Sequence, residues 1–248
     1  MELIAASLAG LPGWAWLVLV AAALLVGFGK TAIGGVVMIA VVLAAMVLPT
    51  KESTGFMLLM LLTGDVVAVW TYRRNVDWRL IGRLVLPVLL GIAAGAGFLS
   101  WVDDLVLKRT IGVIVLVLLV AGFWPEKLAA HRPWVGRGYG ALAGFTTMVA
   151  NAGGSPMSLY LLAAKYDKWR FLGTTSWLFF AINLTKLPVS IGLGLIEPRT
   201  AVLAAAMVPV VLLGTWLGRL TIARIDQATF DRLITAFVAL AGLWLLVG

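Results

Sequence analysis

Cysteine is absent from the 248-residue chain, and histidine occurs once, at His131. No disulfide, thiolate metal site, iron–sulfur cluster or cysteine nucleophile can be built without it. One histidine cannot ligate haem from both sides or anchor a histidine-based metal cluster, so neither a metal nor another cofactor is expected. Charge is scarce too: 12% of residues are charged, against about 25% in ordinary soluble domains. What fills the chain is apolar. Hydrophobic residues make up 62% of it, and the mean hydropathy is +1.05. That composition excludes a soluble globular protein, a disordered chain and a coiled coil. The surplus can be hidden only in lipid, where backbone polar groups must be satisfied within helices. The expected fold is therefore an all-α polytopic membrane protein. One span and its connection take about 25–30 residues, which gives roughly eight to ten helical segments and leaves no room for a soluble domain.

The 19 Lys and Arg outnumber the 11 Asp and Glu, for a net charge of +8. Basic loops that orient a membrane protein explain this excess better than a nucleic-acid partner does. Clear apolar runs occupy 54–72, 80–102, 110–124, 171–195, 200–218 and 233–248, and two glycine-rich apolar stretches occupy 3–49 and 138–164. No small-residue cleavage site follows the first run, so it reads as structure and not as a removed signal. Basic clusters fall between the runs: Arg73, Arg74, Arg79 and Arg83; Lys127, Arg132 and Arg137; Lys165, Lys168 and Arg170; Arg219, Arg224 and Arg232. If 138–164 enters the membrane and returns to the same face, inside loops hold 13 basic residues and outside loops 4. Both termini then face outside. Tryptophans such as Trp14, Trp70, Trp78 and Trp101 sit near span ends, as an interfacial belt does.

The halves repeat. Pro87, Gly91, Gly95, Asp103 and Arg109 match Pro209, Gly214, Gly218, Asp226 and Arg232. Upstream, Gly55 and Asp65 match Gly173 and Asn183, each pair ten residues apart, and Gly34 and Gly35 match Gly153 and Gly154. Glycines ease helix packing in lipid, but that does not account for shared spacing. The chain divides into a first transmembrane repeat at 1–123, a central cytoplasmic connection at 124–137 and a second repeat at 138–248. The charge pattern runs the copies in opposite directions, as inverted-topology repeats common in secondary transporters.

Each repeat holds one interrupted segment. Gly27-Phe28-Gly29-Lys30-Thr31-Ala32-Ile33-Gly34-Gly35 breaks the first, and Asn151-Ala152-Gly153-Gly154-Ser155-Pro156 breaks the second. Ser155 and Pro156 read as the cap and first residue of a short helix over 156–164. Such half-helices would open their N-termini at mid-membrane, where free N–H groups and a partial positive charge suit an anion. The Gly-x-Gly-Lys-Thr within the first break is not a nucleotide loop: Ala23 stands where the first glycine is needed, and membrane helix precedes it.

These residues resemble the sulfite exporter TauE/SafE family of membrane permeases. The likeness rests on Gly29-Lys30-x-x-x-Gly34-Gly35, then Pro49-Thr50-Lys51-Glu52-Ser53-Thr54-Gly55. In the second half it rests on Gly153-Gly154-Ser155-Pro156, Gly173-Thr174-Thr175-Ser176 and Asn183-x-x-Lys186. The resemblance implies a transporter of sulfite, sulfonates or other small organosulfur anions in a bacterial-type plasma (inner) membrane.

Three charged residues sit within apolar sequence: Lys30, Asp65 and Lys186. Charge there costs roughly 2.5–3.5 kcal/mol on insertion scales and marks function. Lys186 is the leading anion ligand, with Asn183 three residues before it on the same helix face; the structural alternative is an ion pair with Asp65. Lys30, beside the first break, is a second ligand candidate, or caps carbonyls there. Asp65 is the candidate coupling residue, by taking up a proton or by stabilising Lys186. Gly34, Gly35, Asn151, Gly153, Gly154, Ser155, Thr174, Thr175 and Ser176 complete the expected substrate site as hydrogen-bond donors, or else join helices. The function expected is a secondary transporter, ion- or proton-coupled, whose partners are a small anion and lipid. A carboxylate permease or a passive channel is the alternative. An intramembrane hydrolase needs a histidine in the membrane, and His131 lies in a polar stretch, so the chain is not expected to be an enzyme.

Overall fold

The computed structural model describes residues 11–99, 113 and 132–247. Most of the apolar run at 110–124, Trp101, Asp103, Arg109, Lys127 and His131 lie outside the described residues. The described part contains nine α-helices, one 3-10 turn and no strand. In chain order these are α1 (Gly13–Thr31), the 3-10 turn (Gly34–Val36), α2 (Val37–Val47), α3 (Thr50–Tyr72) and α4 (Trp78–Leu99). Then come α5 (Pro133–Ala150), α6 (Gly154–Ala163), α7 (Lys168–Gly192), α8 (Pro198–Arg224) and α9 (Gln227–Val247). Among the described residues, four segments are long and apolar enough to cross a membrane: Gly13–Thr31, Glu52–Tyr72, Trp78–Phe98 and Pro198–Arg224. The chain is thus an all-helical polytopic membrane protein. Leu17, Leu86 and Trp70, each about two-thirds exposed or more, are side chains that lipid would cover.

Both interruptions are real. Helix α1 stops at Thr31, and the chain resumes as the 3-10 turn leading into α2. Helix α5 ends on Asn151, which takes the left-handed conformation at φ 53°. The second restart differs from expectation. Its N-cap is Gly153, not Ser155, and α6 covers the ten residues Gly154–Ala163, not 156–164. The Ser155 N–H bonds back to the Ala152 carbonyl at 3.2 Å, so Ser155 already belongs to the first turn. Pro156 is tolerated there because early helical N–H groups have no intrahelical acceptor to lose. At 1.5 Å per residue α6 is about 15 Å long, half of a ~30 Å hydrocarbon core.

The helices form two compact units, 1–73 with 176–224, and 74–175 with 225–248. Each unit draws on both sequence halves, and the division falls inside α7, between Thr175 and Ser176. In the first unit, Leu19, Ala23 and Val26 of α1 share a core with Phe56 and Met60 of α3 and Val211 of α8. Glycines set how closely α1 and α8 cross. A methyl at Gly27 would strike the Val211 carbonyl and the Thr215 nitrogen; one at Gly214 would strike the Leu24 carbonyl and the Phe28 nitrogen. In the second unit α4 and α5 cross in the same way: Gly144 meets Val88 and Ile92, and Gly91 meets Ala141 and Phe145. The α5 residues stand 117 positions after their α1 counterparts, and the α8 residues 123 after those of α4. One crossing is thus built twice, each time from one helix of each half. Beyond it, α6 packs on α5 and α9.

Two ion pairs follow the same scheme. Glu52 in the first turn of α3 faces Arg199 in the first turn of α8, at 3.6 Å. Arg170 in the first turn of α7 meets Asp77, one residue before α4, at 2.8 Å. Both carboxylates come from the first half and both guanidinium groups from the second.

Candidate functional site

The first unit gathers four polar side chains in its interior. Lys30 is in the last turn of α1, Asp65 lies within α3, and Asn183 and Lys186 share one face of α7. The Lys30 ammonium sits 2.6 Å from Asp65 Oδ1, and Asn183 Nδ2 donates to Asp65 Oδ2 at 2.7 Å. Asp65 is wholly buried and Lys186 is 2% exposed. Lys30 Nζ also stands 5.5 Å from the ring centre of Phe179, a cation–π contact from α7. The residue paired with Asp65 is therefore Lys30, not Lys186. Lys186 is close enough to interact electrostatically with both. Asn183 Oδ1 is buried with no hydrogen-bond donor among the described residues.

The break fixes where Lys30 sits. The Thr31 hydroxyl donates to the Thr215 carbonyl at 2.9 Å and to the Gly27 carbonyl at 3.2 Å. The Tyr72 hydroxyl donates to the Thr31 carbonyl at 2.5 Å. That carbonyl is one of those a helix end leaves without an intrahelical partner. Gly64 is the residue that sequence reasoning missed. A methyl there would come within 2.9 Å of Lys30 Cγ and 3.2 Å of its Cβ, so the bare backbone clears a lane for the lysine stem. The signal was its place, one residue before Asp65. The turn after Thr31 holds Gly34 and Gly35, and the space around Gly34 is open. Ser176, 4% exposed, belongs to this unit as well.

The other expected residues belong to the second unit. Asn151 supplies the left-handed turn that ends α5; its N–H and that of Ala152 close on the Thr147 and Thr146 carbonyls, each at 3.1 Å. Gly153, Gly154 and Ser155 begin α6. Thr174 Oγ1 accepts the Asp77 N–H at 3.0 Å, and the Thr175 hydroxyl turns back to the Phe171 carbonyl at 2.8 Å. Asp77 is a knot that the sequence did not announce. Its carboxylate accepts the Tyr166 hydroxyl at 2.5 Å, Arg170 at 2.8 Å and the Leu80 N–H at 3.0 Å. Partial burial pushes its carboxyl up, but these three donors outweigh that and hold it below the usual range. Burial, then Asp77 itself, pushes the Tyr166 hydroxyl up.

A buried ammonium–carboxylate pair with a second lysine beside it, next to a helix break, is an arrangement that can hold a charged substrate or relay a proton inside a membrane. No curated protein and no solved structure matches the chain. The sequence model of one family does match, over residues 19–245. The chain accordingly belongs to the sulfite exporter TauE/SafE family, and is an integral membrane transporter for a small sulfur-containing anion.

Proposed function

We propose that the chain is a secondary transporter of sulfite or a small organosulfonate, driven by a coupled ion or proton, in a bacterial-type inner membrane. The substrate's sulfur oxyanion is held by Lys186 and Lys30 in the first unit. The observation that carries this reading is the buried cluster itself: two lysines against one carboxylate, with Asn183 tied to that carboxylate. Two basic groups and one acidic group leave the cluster short of negative charge. An oxyanion supplies it, and its oxygens accept hydrogen bonds from ammonium groups. Asp65 then acts as the resting counter-ion of Lys30, which the arriving anion relieves.

Calorimetry on folded, purified protein tests the reading. A thermal-shift series of sulfite, thiosulfate, sulfoacetate, isethionate, taurine and short carboxylates first identifies the ligand, because binding to the folded form raises Tm. Lys186→Ala should then weaken that ligand at least 100-fold while the protein still purifies as a folded species. Lys186→Arg should weaken it too, since a planar fork replaces a compact ammonium. Wild-type affinity in Lys186→Ala would overturn the assignment.

A further inference from the structure

We infer that the charge of the cargo sets the proton count at this site: a monoanion enters with no proton, and a dianion enters with one, which is taken up by Asp65. The inference rests on the substrate site proposed above and counts the charges there. Asp65 and Lys186 are the charged residues buried among those described, and Lys30 is joined to Asp65 at 2.6 Å. With all three ionised the cluster carries one net positive charge. One negative charge brings it to neutrality, the state a low-dielectric interior favours. A second negative charge would stand against the Asp65 carboxylate with no cation left to offset it. Protonating Asp65 removes that charge and frees the Lys30 ammonium to face the ligand. The proton comes from water on the loading side and ends on a carboxylate oxygen of Asp65. Asn183 can then turn its carbonyl, now without a donor, to the new O–H.

Among the described residues, Lys186 is the other buried titratable group of the cluster, and proton uptake there would persist in Asp65→Asn. Lys30 comes from α1, Asn183 and Lys186 come from α7, and α2 carries no charged residue. Helix α8 carries Arg199, Arg219 and Arg224 at its ends. Arg199 faces Glu52, and Arg219 lies toward Tyr72, seven residues beyond Asp65. On α3 itself, Glu52 is thirteen residues before Asp65.

Two probes separate the cases, ethanesulfonate and ethane-1,2-disulfonate, because neither gains nor loses a proton near neutral pH. Calorimetry of the wild-type protein in buffers of different ionisation enthalpy counts the protons bound. Close to none is expected for the monosulfonate and close to one for the disulfonate. Above neutrality, disulfonate affinity should fall about tenfold per pH unit relative to monosulfonate affinity. In Asp65→Asn the disulfonate should bind without proton uptake and without that slope. Proton-free binding of the disulfonate to the wild type overturns the inference, as does proton uptake that persists in Asp65→Asn. If the wild type binds neither probe, nor any ligand of the thermal-shift series, it is the substrate site that falls.

Discussion

At the scale of single residues, the site depends on an atom that is missing. Gly64 has no Cβ, and Lys30 runs through the space. In Gly64→Ala the helix gains roughly 1 kcal/mol of propensity and loses about 1–3 kcal/mol to crowding. Net stability should thus change by no more than about 2 kcal/mol. Substrate affinity should nevertheless drop about tenfold, because the displaced stem moves the ammonium. Chemical denaturation and calorimetry on the same preparation measure the two quantities; unchanged affinity would show that the lane has slack. The charged members of the cluster were legible in the sequence because Lys30, Asp65 and Lys186 interrupt apolar runs, where charge is expensive. Which lysine holds Asp65 was not legible. The sequence offered Lys186 as the partner of Asp65 only as the alternative to binding the anion, whereas the pairing is decided by how α1 passes α3 at Gly64.

At the scale of helices and turns, glycine runs announced both interruptions correctly. The start of α6 did not follow its signal. Ser-Pro is a strong cap-and-first-turn pattern, but the left-handed Asn151 redirects the chain early enough for Gly153 to cap instead. The Asp77 knot was hidden for another reason: its partners Tyr166 and Arg170 lie some ninety residues along the chain. Three donors on one carboxylate predict a definite pH response. The folded carboxyl is held below its unfolded value, so its stabilisation is present above about pH 4 and is lost as the pH falls through the folded value. Asp77→Asn should cost about 1–2 kcal/mol at neutral pH. The gap to the wild type should close in melting experiments as the pH falls below about 4, where the native carboxyl also loses its charge. A gap that stays constant down to pH 3 would mean that the carboxylate charge contributes nothing.

At the scale of the molecule, the 13-to-4 asymmetry of basic residues predicts that both termini face outside, with the loops around Arg74 and Arg224 in the cytoplasm. Reporter fusions at the C-terminus check this, and a cytoplasmic C-terminus would reverse the orientation. The spacing of glycines matched Gly91 with Gly214 but did not reveal that Gly27 corresponds to Gly144. It did not show that α1 crosses α8 and α4 crosses α5, because a repeat defines counterparts and not neighbours. That interleaving sets a timetable for synthesis. The ribosome delivers α1 early, yet the helix that fills its glycine groove begins only at Pro198. At about 5–20 residues per second the wait is on the order of ten seconds or more. Through that interval Gly27, with the carbonyls beside it, faces lipid or a chaperoning helix. A chain that stops at residue 175 leaves the first unit without α8 and the second without α9. The first unit is complete only at Arg224 and the second only with α9, so quality control in the membrane must judge both units late.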